Sequence, residues 1–268
     1  MLTRTEKDLI DEIVWEKLVE YAEEEDITGK LFPIERRDEG DSIKIVSEGE
    51  WPDAVEVPEG AEIPIFQPEY GSKVKTYKKI AQRVQITHEM EKDSRYDLLR
   101  RGIRKTAQKL MHKIGIDTLR EAWTNAGLTY TVSGRWGGPN ADELNDIAQA
   151  AAKVRNANYV PDVIVLNPMD YAHLVPLQIF TEKDKGGDVS RYDIGQTILG
   201  MDVVVTPWIS ENNFLVMDRE QAGVLYIREP LSRESYVDST RMVRGFVAFT
   251  RYVPATIAPS AICYATGY

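Results

Sequence analysis

From Tyr96 to Trp123 the apolar side chains recur every three or four residues: Tyr96, Leu99, Ile103, Ala107, Leu110 and Ile114, then Leu119, Ala122 and Trp123 beyond Gly115. That period lines them along one face of a helix, and Ser94 with Asp97 has the three-residue spacing of a capping box at its start. A helix over residues 93–125 rises ~1.5 Å per residue and reaches roughly 50 Å, well beyond an ordinary globular helix. Arg100, Arg101, Arg104, Lys105, Lys109 and Lys113 occupy its other faces. They make either a solvated flank or a platform for an acidic segment of another copy.

The stretch before this helix has a different period. In SKVKTYKKIAQRVQI, Val74, Thr76, Ile80, Val84 and Ile86 share one face of a strand, and Lys73, Lys75, Lys79 and Arg83 share the other. SIKIV and VEVPEGAEIPIF also alternate, but Pro58 and Pro64 remove ladder donors and suit an edge or an irregular loop. Residues 41–88 are therefore expected to form a long two-stranded excursion. An isolated hairpin is marginal in water, so this one should lean on another element or another subunit.

Charge is segregated along the chain. Residues 1–26 carry three basic and ten acidic side chains, residues 34–72 carry three and eleven, and residues 73–113 carry thirteen and four. Lysine-rich solvated faces explain many such runs. Complementary contact explains them too: an acidic segment of one copy on the basic segment of another gives steering and register, weakened by salt. Head-to-tail contacts of that kind close into rings or extend into lattices. The candidate contact residues are Lys73, Lys75, Lys79, Arg83, Arg100, Arg101, Arg104 and Lys105. Residues 5–25 read as an amphipathic helix with Leu9, Ile13, Leu18 and Ala22 near one face, either core or a docking arm for a neighbour. The net charge of -10 argues against a general nucleic-acid binder, while leaving room for a negative surface that faces packaged nucleic acid.

Beyond residue 140 the pattern becomes α/β. A helix is expected over 141–156 behind Asn140, with Ala148, Ala151 and Ala152 allowing close packing on a sheet. VIVL at 163–166 reads as a buried strand, and Asn167 with Pro168 fits the Ncap and N1 positions of a short helix. Residues 181–196 are polar and glycine-containing, as in a loop that lines a pore or a contact. MDVVVTP, NFLVMD, AGVLYIR, RESYV, MVRGFVAFTRYV and AICYA supply further strands.

No phosphate-binding loop, dinucleotide fingerprint, EF-hand, HExxH or nucleophile elbow is present. His88, His112 and His173 stand singly, and Cys263, the one cysteine, lies in an apolar run that suggests a buried small side chain. No catalytic, cofactor or metal site is expected. No apolar run approaches the ~18 residues of a spanning helix, and no basic start with an apolar centre marks a signal peptide.

The order of these parts resembles tailed-virus major capsid proteins with the fold named after the phage Hong Kong 97. Ile86, Thr87, Glu89, Asp93 and Ser94 match the family's passage from extended loop to spine helix. Asn167, Pro168, Asp170 and Tyr171 match its NPxDY segment. Ile198, Leu199, Gly200, Val204, Val205, Thr206 and Pro207 match ILGxxVVxTP, and RGFVAFTRY with AICYA resembles the closing strands.

The resemblance implies an α+β Hong Kong 97-like fold. Its parts are an N-terminal arm (1–40), an extended β-hairpin loop (41–88), a peripheral domain with the spine helix (89–139 and 231–256) and an α/β axial domain (140–230 and 257–268). It implies a non-enzymatic shell subunit, without cofactor, that assembles with itself into pentamers and hexamers of an icosahedral capsid enclosing the viral genome. The partners implied are other copies, a scaffold, portal or decoration protein, and double-stranded DNA bound without sequence specificity; no membrane is implied. The location implied is the virion, assembled in the host cytoplasm. The chain starts almost at the arm, so a separate scaffold or unaided assembly is expected. Some relatives crosslink through lysine and asparagine; Lys73, Lys75, Lys78 and Lys79 are candidates by place, and crosslinking is not expected. Two alternatives stand beside this reading: an encapsulin, the cellular nanocompartment of the same fold that encloses cargo enzyme, and a soluble α/β enzyme with an unrecognised site.

Overall fold

The protein was analysed as a computed structural model, which describes residues 18–19, 22, 27–37, 40–48, 56–58, 70–87, 98–139, 141–175, 197–238 and 240–267. After one helical turn, α1 (Thr28–Leu31), the long apolar stripe forms α2 (Leu98–Thr124), 27 residues and ~40 Å in length. Ile103, Ala107, Leu110, Ile114, Leu119 and Ala122 are all buried along it, as a 3.6-residue period demands. Residues 93–97, with the capping pair Ser94 and Asp97, lie outside the described residues.

The strands build three sheets. One has four strands in the order β1 (Ile34–Arg36), β10 (Gly223–Asp238), β11 (Val243–Thr256) and β4 (Lys78–Thr87). Another has six: β5 (Leu128–Thr131), β12 (Ile262–Thr266), β9 (Phe214–Met217), β6 (Val163–Leu166), β8 (Met201–Val205) and β7 (Thr197–Ile198). The third is a two-stranded ladder of β2 (Ser42–Glu48) and β3 (Tyr70–Thr76).

Packing explains the architecture. Ile103, Ala107 and Leu110 of α2 pack with Phe246 and Ala248 of β11 and with Ile80 and Val84 of β4, so the helix covers one face of the four-stranded sheet. Leu18 and Ala22, 0% and 5% exposed, belong to the same cluster. This part of the N-terminal arm is therefore core of its own chain; Leu9 and Ile13 lie outside the described residues. Farther along α2, Ile114, Leu119 and Ala122 join Leu31, Phe32, Val163, Val165, Leu215 and Tyr252 in a core shared by the four- and six-stranded sheets. The remaining face of the six-stranded sheet is covered by α3 (Glu143–Asn156) through Ile147, Ala150, Ala151 and Val154.

Several expectations change. The basic arm expected over 72–86 breaks at Tyr77: β3 pairs with β2, whereas β4 pairs antiparallel with β11, Val84 opposite Phe246 and Lys79 opposite Arg251. Residues 78–87 thus belong to the body, because β11 offers both ladder partners and an apolar bed that local periodicity cannot announce. The excursion leans on its own chain, with Ile43 and Ile45 buried among Tyr226, Val253 and Ala255. AGVLYIR and RESYV merge into the single 16-residue β10, whose register shifts between Ile227 and Glu229 and between Glu229 and Ser232 accommodate Pro230. Helix α3 is capped by Asp142, which accepts the Asn145 N–H at 3.2 Å, and not by Asn140; Ala150 and Ala151 face inward while Ala148 and Ala152 are exposed. Strand β5 pairs in the six-stranded sheet, parallel to β12, and β10 runs unbroken across residue 230.

The NPMDY segment forms as its sequence suggests, in helix α4 (Pro168–Leu174). Asn167 caps it by accepting the Met169 N–H at 2.9 Å and donates to the Ile209 carbonyl at 2.7 Å, while Asp170 accepts the Asn212 N–H. The motif thereby fastens the 206–213 loop to the sheet. Burial pushes the Asp170 carboxyl up, against the lowering effect of that backbone bond. Leu199 and Gly200, both at positive φ, make the two-residue β7–β8 turn.

Candidate inter-subunit surface

Strand alternation decides where the basic residues point. Ile80 and Val84 face α2, so Lys79 and Arg83 project from the opposite face of the four-stranded sheet. Each is held there by an aromatic ring. The Lys79 ammonium lies 4.3 Å from the centroid of Phe249, and the Arg83 guanidinium lies 4.3 Å from that of Tyr236. Arg83 Nε also donates to the Tyr236 hydroxyl at 2.6 Å, and its Nη2 donates to Gln85 at 3.2 Å.

Lys75 is different. The break at Tyr77 turns it inward, where its ammonium pairs with Glu121 of α2 and donates to the Pro254 carbonyl at 3.2 Å. It is a fastening of the hairpin base to the body and not part of an outer basic face. Its neighbour Val74, expected on the apolar side, is 66% exposed, while Lys73 stands exposed on β3. Arg101, Arg104 and Lys105 lie on the exposed flank of α2, and Arg101 and Arg104 make interactions there. The side chain of Arg100 lies outside the described residues. The basic block of the sequence is therefore divided among the hairpin, the outer sheet face and the helix flank.

Asp117 and Tyr252 bind helix to sheet. The Tyr252 hydroxyl donates to Asp117 at 2.9 Å and Lys113 Nζ donates at 2.8 Å. Burial opposes ionisation of Asp117, but these two bonds outweigh it and hold its carboxyl below the usual carboxylate range. Burial and the bond to Asp117 both push the Tyr252 phenol up.

A cleft of about 480 Å³ opens beside this fastening, where β3 gives way to β4 against the second half of α2. Lys78 and Arg120 stand at it, both exposed. Arg120 escapes notice in the sequence, since a lone arginine on a helix carries no local signal of the cleft that β3 and Pro254 complete around it.

Groups with chemical potential lie elsewhere and apart. His112 meets the edge of Trp208 with ring centroids 4.9 Å apart, His173 stands near Gly137, and His88 lies outside the described residues. Cys263 is buried, and its thiol is pushed up to about 11 by that burial, the wrong direction for a nucleophile. Among the described residues no three His, Cys, Asp or Glu side chains group to hold a metal, and no helix is long and apolar enough to cross a membrane.

The family model for phage capsid protein matches residues 69–265, from the hairpin's return strand to the closing strand. The chain belongs to the phage capsid protein family. Solved structures share its fold over most of its length. A virus-like particle from Pyrococcus furiosus is 18% identical with a TM-score of 0.67, the match covering 95% of this chain and 98% of that one. The capsid of cyanophage P-SCSP1u is 14% identical with a TM-score of 0.69 over 89% and 86% of the two chains. Microbacterium phage Oxtober96 is 15% identical with a TM-score of 0.67 over 91% of each. No curated protein matches this chain in sequence. The fold of this capsid protein is the Hong Kong 97-like one that these structures share.

Proposed function

We propose that this capsid protein assembles through pentamers and hexamers into a shell that encloses double-stranded DNA, acting by contact alone and without a catalytic step. The observation that carries this reading is the family match along residues 69–265, on a fold whose 27-residue helix packs against the four-stranded sheet. In this reading the six-stranded sheet with α3 surrounds the symmetry axis, and α2 with the four-stranded sheet forms the periphery. The β2–β3 hairpin, Ser42 to Thr76, reaches a neighbour. Lys73, Lys79, Arg83, Arg101, Arg104 and Lys105 supply basic contacts, with Arg100 added from the sequence. Lys75 acts within its own subunit, so it leaves the contact set. A net charge of -10 suits a wall that repels packaged DNA and does not bind it.

Electron microscopy of the chain expressed alone and separated by size tests the proposal. Closed shells or capsomer rings are the expected outcome, and a chain that stays monomeric across salt and concentration, with a scaffold protein co-expressed as well as alone, refutes it. The likeness to the Pyrococcus furiosus virus-like particle, which spans 98% of that chain, favours a second reading as a nanocompartment shell. Nucleic acid inside the particles supports the first reading, and a protein cargo supports the second.

A further inference from the structure

The cleft between β3, β4 and α2 holds charges that its own chain leaves unspent. Lys75 pairs with Glu121, and Lys113 pairs with Asp117. Lys78 lies close enough to Asp117 to favour its ionised form, yet among the described residues neither the Lys78 nor the Arg120 side chain makes an ion pair or a hydrogen bond. Val253 and Pro254 give the floor an apolar part. A fitting occupant brings carboxylates interleaved with apolar side chains.

The chain contains such a segment. Residues 48–69 carry seven acidic side chains and no basic one, together with Trp51, Val55, Val57, Ile63, Ile65 and Phe66. The β2–β3 ladder starts at the cleft, where Ser42 faces Thr76, and runs to Glu48 opposite Tyr70. Six steps at ~3.3 Å each put Glu48 and Tyr70 roughly 20 Å from the base of the ladder. Leu18 and Ala22, the buried residues described in the other acidic stretch, 1–26, pack beside Ile103, Ala107 and Leu110, so those apolar side chains are already spent on the core of their own chain.

We propose that this cleft is the receptor for the acidic segment 48–69 of a second copy, with Lys78 and Arg120 as its cationic rim. The proposal rests on the shell reading and gives the reach of the β2–β3 hairpin an address. Rim charges of this kind act chiefly on encounter and register, and their effect fades as salt screens them.

The test uses particles assembled from equal amounts of ordinary and nitrogen-15-labelled full-length chain. A water-soluble carbodiimide joins a carboxylate to a lysine ammonium as an amide and takes up the water released, so it reports direct contacts. The expected products are mixed light–heavy peptides joining Lys78 to a carboxylate within 48–69. Lys78 joined only within one copy, joined to 1–26, or not joined at all overturns the assignment. In parallel, Lys78→Glu with Arg120→Glu, checked for folding because Lys78 also supports ionised Asp117, should raise the concentration needed for particles about tenfold at low salt, and Lys78→Gln with Arg120→Gln should do so by less. Folded variants of either kind that assemble as readily as the parent overturn the cleft's role and leave the shell reading intact. A parent chain that never associates overturns both.

Discussion

Replacing Asp146 should cost more than replacing any exposed carboxylate of this protein, and the geometry says why an amide cannot stand in for it. Asp146 is 0% exposed on α3. Its Oδ1 accepts from the Tyr130 hydroxyl at 2.9 Å and from the Ser133 N–H at 3.1 Å; its Oδ2 accepts from the Trp136 indole at 3.0 Å and from the Ser133 hydroxyl at 3.2 Å. The carboxylate thereby pins the whole 130–136 segment to the helix. Two of the four donors, a backbone N–H and an indole N–H, can only donate, and they address different oxygens. In Asp146→Asn one of them must face an NH₂ group whichever way the amide turns. A buried donor left unpaired costs ~1–3 kcal/mol, and a lost bond to a charged group adds to that. Asp146→Asn should therefore lower stability by about 2–3 kcal/mol. Asp146→Ala, which abandons the buried Trp136 indole and the three other donors together, should lower it by about 3–5 kcal/mol. A domain holds only ~5–15 kcal/mol in total, so the alanine variant is expected to lie near the edge of folding. Urea unfolding followed by far-ultraviolet circular dichroism measures the change. Pairing Asp146→Asn with Trp136→Phe, which removes the indole donor, should cost clearly less than the sum of the single changes. A loss below ~1 kcal/mol for the asparagine variant, or strict additivity in the pair, would refute the reasoning.

Gly245 on β11 sits so close to β4 that an added Cβ would lie 2.0 Å from the Val84 carbonyl oxygen. Because the obstacle is backbone, Gly245→Ala should force the β11–β4 ladder apart at a cost of about 1–3 kcal/mol, visible as a lower melting temperature and faster amide exchange over residues 82–87. Acid should loosen the seam between α2 and β11: the folded-state pKa of Asp117 is depressed, so its contribution is present above the unfolded value near ~4 and disappears as pH falls through the folded one. Asp117→Asn should flatten that part of the pH–stability profile below pH ~4, and an unchanged profile would remove Asp117 from the seam.

The sequence by itself determined much of this capsid protein. The helical period over Leu99–Trp123, the cap at Asn167 followed by Pro168, and the all-apolar run VIVL are local signals, because each is set by neighbours within a few residues and survives in α2, α4 and β6. The order of motifs also sufficed to place the chain near tailed-virus capsid proteins, and the match over 69–265 agrees. What local pattern could not carry was the choice of partners. The apolar face of KKIAQRVQI fits a free hairpin or a body strand equally well; only β11, more than 150 residues away in the chain, decides for the body. Lys75 and Lys79 look alike in the sequence, yet a break at Tyr77 sends one to Glu121 and leaves the other over Phe249 on the outer face. Pro230 signals the end of a strand until a bulged register keeps β10 whole. Periodicity tells a residue which face it occupies, and tertiary structure alone decides what that face meets.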